Sequence, residues 1–191
     1  GYIGTELCRL YSGVSWHHKI LVIDNRFISE RVNQIRNWNM EFIHGDILDK
    51  DLVDKYFSNA DIVHHLAGIT SVPRTKSESS REIDEKIKLV AEEGTQNILN
   101  TISDECKLIF PSTHVVYEGI SEVKKDIKEN ENTQPVLSYS SSKAVNEKQI
   151  KDSRKNYVIL RLGSVYGYSN DTMRIDIMPN LFSKIASQNG T

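Results

Sequence analysis

Short, nearly unbroken apolar runs alternate along this chain with longer stretches in which apolar residues recur at three- and four-residue spacing. The runs at 19–23, 40–44, 62–66, 107–112 and 157–162 are too short for buried helices. They are also too continuously apolar for strands with one wet face, so they predict strands covered on both sides. Helical spacing marks 52–57, 83–102 and 139–151, the start of the chain through Leu7, Leu10 and Tyr11, and 178–186 near its end. Strand and helix alternating in this way predict an α/β fold with a parallel sheet wound on both faces. Asp49 stands where a helix-entry residue belongs, and Gly94 interrupts the long helix where close packing can require it.

Composition narrows the class. With 191 residues, 38% hydrophobic and 26% charged, the chain can bury one good core and open a second domain. A formal net charge of −2 leaves no footprint for nucleic acid, and the mixed tract 122–128 reads as a solvated loop. Cys8 and Cys106 lack metal-ligand spacing and read as small core residues in a reducing compartment, which implies a cytoplasmic location. No apolar stretch approaches the roughly 18 residues of a membrane span. His64 and His65 are adjacent on one strand, so their side chains point to opposite faces and no joint metal site is expected. Trp16 and Trp38 read as packing anchors, and His17 and His18 as a solvated turn.

Two patterns carry chemistry. Gly1-Tyr2-Ile3-Gly4 runs straight into a helical pattern, as the end of a phosphate-binding glycine turn does, and the strand that follows closes on Asp24 and Asn25. A carboxylate there accepts hydrogen bonds from a ribose diol and repels a 2′-phosphate, which predicts NAD rather than NADP, with Arg26 a surface arginine. The second pattern is Tyr139 followed four residues later by Lys143 on the same helix face, with Thr113 at a strand end upstream.

Taken in order, Gly1-Tyr2-Ile3-Gly4, Ile23-Asp24-Asn25, Gly45-Asp46-Ile47, His65-Leu66-Ala67-Gly68, Gly94-Thr95-Gln96-Asn97, 112–117, 139–143 and 161–167 resemble the extended short-chain dehydrogenase/reductases, which include nucleotide-sugar epimerases and dehydratases. The resemblance implies a Rossmann-type doubly wound sheet truncated at both ends, without its first strand and most of its substrate domain. On this reading 1–167 is the incomplete NAD-binding domain and 168–191 the start of a substrate-binding region. Gly1 and Gly4 would be the second and third glycines of the turn, flanking Tyr2 and Ile3. Asp24 with Asn25 would meet the adenosine ribose, Asp46 and Ile47 would border adenine, and Leu66, Ala67 and Gly68 would line the nicotinamide-side phosphate and ribose. Such members commonly form homodimers through the helices carrying Gly94 and Tyr139, although Ile87, Val90, Ile98 and Ile150 can equally face the sheet.

Oxidising a sugar carbinol needs a base for the hydroxyl proton. A tyrosine with a pKa of about 10 needs a neighbouring ammonium to act at neutral pH. Tyr139 is therefore the expected base and Lys143 the ammonium, which by resemblance also binds the nicotinamide ribose; Thr113 would hold the substrate hydroxyl. His114 and Ser164 are candidate substrate contacts, with a structural role open for His114. Dehydratases of the 4,6 type follow their threonine with Asp-Glu, whereas this chain has His114-Val115. Ala91 and Ser164 stand where the family often has Asn, and Asp176 where many 4-epimerases have Asn. The expectation is an NAD-dependent epimerase acting on a UDP-, GDP- or dTDP-sugar, with a reductase or decarboxylase of the same family, or a non-catalytic NAD-binding module, as alternatives.

Overall fold

Every strand pairing among the described residues is parallel. The computed structural model describes residues 1–70, 75–169 and 174–189. In chain order the elements are α1 (Tyr2–Tyr11), β1 (Leu21–Asp24), α2 (Ser29–Asn37), β2 (Glu41–His44), α3 (Lys50–Phe57), β3 (Ile62–His64), α4 (Arg81–Thr101), β4 (Lys107–Thr113), α5 (Ser138–Asp152), β5 (Asn156–Leu162) and α6 (Met178–Asn189). They divide into two compact units, Gly1–Gly45 with Ser164–Thr191, and Asp46–Gly163.

In the first unit β1 pairs with β2, Leu21 opposite Glu41 through Asp24 opposite His44. Between them lies α2, which the apolar pattern did not predict. Its inward face carries only Val32 and Ile35, three residues apart in an otherwise polar segment, and both are buried. Other expectations need correction here. Neither β1 nor β2 holds a fully buried residue, so these strands are not covered on both sides. Leu10 is 67% exposed and Trp16 74% exposed, so the first stays outside the core and the second anchors nothing. Cys8 is half-buried and is not a core residue.

The second unit orders its strands β3-β4-β5. β3 pairs Ile62 with Lys107 through His64 with Ile109, and β5 pairs along all of β4 from Lys107 with Asn156 to Thr113 with Leu162. β3 stops at His64 rather than residue 66 because the Leu66 N–H turns back to the His64 carbonyl. Only β4 alternates through a deep core, burying Leu108, Phe110, Ser112 and Thr113, whereas β5 has no fully buried position. Val53, Ile98, Ile102, Cys106, Leu108, Phe110 and Ile150 pack into one apolar cluster. Ile87, Ile98 and Ile150 are buried within this unit and offer nothing to a partner.

Local chemistry starts the helices. Asp49 Oδ1 accepts from the Leu52 N–H at 3.1 Å to open α3, and Ser80 does the same for Ile83 at the start of α4. Gly94 lets α4 approach the chain after β2: a Cβ there would lie 2.2 Å from Cδ1 and 2.7 Å from Cγ1 of the buried Ile47. α5 is tied to α4 by Asn146 donating to the Ala91 carbonyl and Gln149 donating to that of Glu92.

A buried carboxylate ties α5 to the sheet. Glu147, 3% exposed, accepts from Ser112 Oγ on β4 at 2.6 Å and from Arg161 on β5 through Nε at 2.9 Å and Nη2 at 2.6 Å. Desolvation pushes this carboxyl up, but the bonds from Arg161 and Ser112 and the charges of Arg161 and Lys151 outweigh it and hold the pKa below the usual range. Arg161 also donates to the Tyr117 hydroxyl and the Glu129 carbonyl.

Gly94→Ala should lower stability by about 1–3 kcal/mol, overpacking against Ile47 outweighing the better helix propensity of alanine; a denaturant melt measures it. Arg161→Met should lower stability by about 3–5 kcal/mol, because it leaves Glu147 buried and unpaired. In the wild type the depressed Glu147 pKa contributes stability above the unfolded-state value, lost as pH falls through the folded one. In the variant that pKa rises, so the gap between the two melts should be widest near neutrality and narrow towards pH 4.

Candidate functional site

In the second unit, Thr113 ends β4 and Tyr139 and Lys143 lie in the first two turns of α5. Thr113 is buried, and its Oγ1 accepts from the Val115 N–H at 3.3 Å, starting a 3₁₀ turn over His114–Tyr117. Tyr139 is half-buried. One helical turn on, Lys143 Nζ donates to the Pro111 carbonyl at 2.9 Å, two residues before Thr113, and lies 4.3 Å from the Phe110 ring centroid. Pro111 sits beyond the β3 pairing, at a point where β4 is bonded only to β5. The backbone bond of Lys143 thus joins the tyrosine-bearing helix to the threonine-bearing strand.

Desolvation lowers the Lys143 pKa to about 8, with the Glu147 charge opposing the fall. Its ammonium remains mostly charged at pH 7. Next to it, His65 is held neutral: burial and then the Lys143 charge lower its pKa to about 3, and its Nε2 bonds Thr95 Oγ1 at 2.9 Å. His65 lies just past β3 and is buried, whereas His64 at the strand end is half-buried. His114 Nδ1 bonds the Leu162 carbonyl at 3.1 Å, a link between β4 and β5 that suits the structural role.

The loop after β3 carries Leu66 half-buried, with Ala67 and Gly68 exposed. Asp46 accepts from the Leu48 N–H at 2.9 Å. Ile47 is buried against Gly94 and its carbonyl accepts from Asn97, so its side chain belongs to the core.

In the first unit, β1 ends at Asp24, whose Oδ1 accepts from the Arg26 N–H at 2.9 Å and whose Oδ2 lies 3.8 Å from the Gly1 nitrogen. The glycine segment and the acid therefore lie side by side within this unit. Gly1 caps α1 while Tyr2, Ile3 and Gly4 form its first turn, and the Tyr2 hydroxyl donates to the Tyr166 carbonyl at 3.2 Å. Exposed Asn25 offers its carbonyl to His44 Nε2 at 3.0 Å. Ser164 is exposed in this unit, and Asp176 is paired with Arg174 at 2.8 Å. A cavity of about 620 Å³ opens among residues 15–20, Arg36 and 39–41, and none of the candidate site residues lines it.

Sequence reasoning missed Ser112, Glu118 and Glu147. Glu147 carried a signal, since it follows Lys143 by one helical turn. Glu118, whose carboxylate accepts from the Val136 and Leu137 N–H groups, carried none, because those partners lie across a long loop.

Among the described residues no group of three or more His, Cys, Asp or Glu could hold a metal ion, and no helix is long and apolar enough to cross a membrane. The chain is 29% identical over 188 residues to a dTDP-D-glucose 4,6-dehydratase of Dictyostelium discoideum, covering 87% of this chain and 42% of the relative. It is 30% identical over 179 residues to a putative UDP-glucose 4-epimerase of Methanocaldococcus jannaschii, covering 90% and 55%. Among solved structures, UDP-glucuronic acid 4-epimerase from Bacillus cereus in complex with NAD superposes with a TM-score of 0.75 at 25% identity, over 99% of this chain and 60% of that one. The chain thus spans about half the length of these curated relatives. The neighbouring fold is that of the Rossmann-type epimerases, and the profile of the NAD dependent epimerase/dehydratase family matches residues 1–190: the chain belongs to that family.

Proposed function

We propose that the protein is an NAD-dependent sugar-nucleotide epimerase that oxidises a sugar hydroxyl transiently, with Tyr139 as the base. The observation that carries this reading is the bond from Lys143 to the Pro111 carbonyl, which brings an ammonium one turn from Tyr139 onto the strand that ends in Thr113. That cation favours the phenolate, so Tyr139 can take the hydroxyl proton and later return it. The Thr113 hydroxyl holds the reacting sugar oxygen. Bound NAD would accept a hydride from the sugar carbon and give it back to the opposite face, so the net reaction is redox-neutral.

The residues present fit that cofactor. Asp24 supplies acceptors for a ribose diol and disfavours a 2′-phosphate. A Cβ at Gly68 would meet no atom within 4 Å, so the loop after β3 offers bare backbone for close approach. Gly1, Tyr2, Ile3, Gly4, Asp24, Asn25, Asp46, Ile47, Leu66, Ala67 and Gly68 are assigned to NAD. Thr113, His114 and Ser164 are assigned to the sugar nucleotide. His114-Val115 in place of Asp-Glu favours epimerisation over 4,6-dehydration. Residues 1–167 are read as the dinucleotide-binding part and 168–191 as the opening of a substrate-binding region. The reading includes a cytoplasmic homodimer, with exposed Ile83 and Leu89 on α4 and Val145 on α5 left for a partner.

The complete protein, supplied with NAD and a panel of UDP-, GDP- and dTDP-sugars and followed by NMR, should interconvert one substrate with its epimer. Tyr139→Phe should slow that conversion by about 10²–10⁴-fold with NAD affinity little changed. Carbon dioxide release would identify a decarboxylase, net consumption of reduced cofactor a reductase, and NAD binding without turnover a binding module.

A further inference from the structure

The helix that carries Tyr139 and Lys143 begins at a residue that cannot cap it. Its N-cap is Leu137, which has no side-chain acceptor, yet the first turn of any helix leaves free N–H groups that need partners. One acceptor is local, Ser140 Oγ, 3.2 Å from the Leu137 N–H, and a second comes from elsewhere in the chain. Glu118 Oε1 accepts from the Val136 N–H and the Leu137 N–H, each at 2.8 Å, and from the hydroxyl of fully buried Ser140.

We propose that Glu118 is a positioning residue for the reaction: its carboxylate, one residue past the 3₁₀ turn that follows Thr113, clamps the start of α5 and sets Tyr139 and Lys143 against the end of β4. This rests on the epimerase reading for its consequence in turnover, and on geometry alone for the clamp.

Three features make the contact a built one. The backbone that carries Glu118 is itself fastened, because the Gly119 N–H donates to the Gln134 carbonyl at 2.8 Å and the Gln134 N–H donates to that of Val116 at 2.8 Å. The approach is close enough to exclude a side chain, since a Cβ at Gly119 would lie 2.6 Å from the Gln134 oxygen. The loop leaving Thr113 is therefore pinched shut just before α5 starts. The charge also has the right sign, as a carboxylate at a helix N-terminus is stabilised by the N–H groups and the helix dipole. Desolvation pushes the Glu118 pKa up, but the bonds from Ser140, Leu137 and Val136 prevail and hold it below the usual range, so the clamp is ionised at neutral pH.

Ser140 completes the coupling. Its hydroxyl lies between the Glu118 carboxylate and the Leu137 backbone, one residue after Tyr139. A shift of Glu118 is thus felt within one peptide of the proposed base, and small displacements of reacting groups have large effects on rate.

The test uses the complete protein and compares Glu118→Ala, Glu118→Gln and Gly119→Ala with the wild type. Amide hydrogen exchange at Val136 and Leu137 reads the clamp without substrate, and kcat and KM read its consequence. Glu118→Ala should speed exchange at these two amides about tenfold. It should also lower kcat about tenfold with KM within about twofold. Glu118→Gln, which keeps an acceptor oxygen, should restore most of both, while Gly119→Ala should reproduce the alanine defect in milder form. Unchanged exchange in Glu118→Ala would overturn the clamp, and changed exchange with unchanged kcat would overturn its positioning role. A Tyr139→Phe control that keeps full turnover would instead sink the epimerase reading and leave the exchange result standing.

Discussion

The second unit depends on one buried ion pair. Glu147 and Arg161 lie on a helix and on the outermost strand of its three-stranded sheet, and the strand between them supplies Ser112 as a third partner. Charges buried to this degree are tolerable only with nearly every lone pair and proton matched, so the pair tolerates very few arrangements. That intolerance is useful. Apolar packing alone would let α5 slide by a fraction of a turn at little expense, whereas a bidentate carboxylate and guanidinium fix it in both distance and orientation.

Lys143 shows the electrostatic side of the same arrangement. Its ammonium is desolvated and bonded to a backbone carbonyl, which supplies no negative charge. The carboxylate whose charge acts on it is that of Glu147, already shared with Arg161 and Ser112. The lysine is therefore under-compensated. Part of its field is left to act on whatever occupies the neighbourhood, and it adds to burial in keeping His65 neutral. A cation neutralised by a carboxylate of its own would polarise a phenol far less.

Most of the frame was legible from apolar spacing, because parallel strands and the helices over them leave strong and different periods. The five strands and the helices around 52–57, 83–102 and 139–151 stand within a few residues of expectation. Failures came where few side chains decide the outcome. α2 rests on Val32 and Ile35 alone, too thin a stripe to read within a polar segment. Burial was overestimated for β1, β2 and β5, whose apolar letters describe residues that are half-covered here. At the candidate site, Thr113, Tyr139 and Lys143 were in view as candidates because motif and helix period single them out. Glu118 was not, since nothing in local sequence tells that a glutamate will cap a helix across an intervening loop. The Ile47 side chain packs into the core, where Gly94 makes room for it, a direction that the sequence of a loop does not announce.

Ser112 and Thr113 are neighbouring hydroxyls on one strand, and consecutive strand residues point to opposite faces. The first is committed to the buried carboxylate, while the second belongs to the strand end. A slip of β4 by one residue would bring Pro111 or Thr113 to the place of Ser112 and turn Leu108 and Phe110 out of the core. Glu147 would register a slip towards Pro111 as well, through the loss of its hydroxyl donor. The register of the strand is thus checked twice, by apolar burial and by a charge, and that charge also holds the helix of the candidate site.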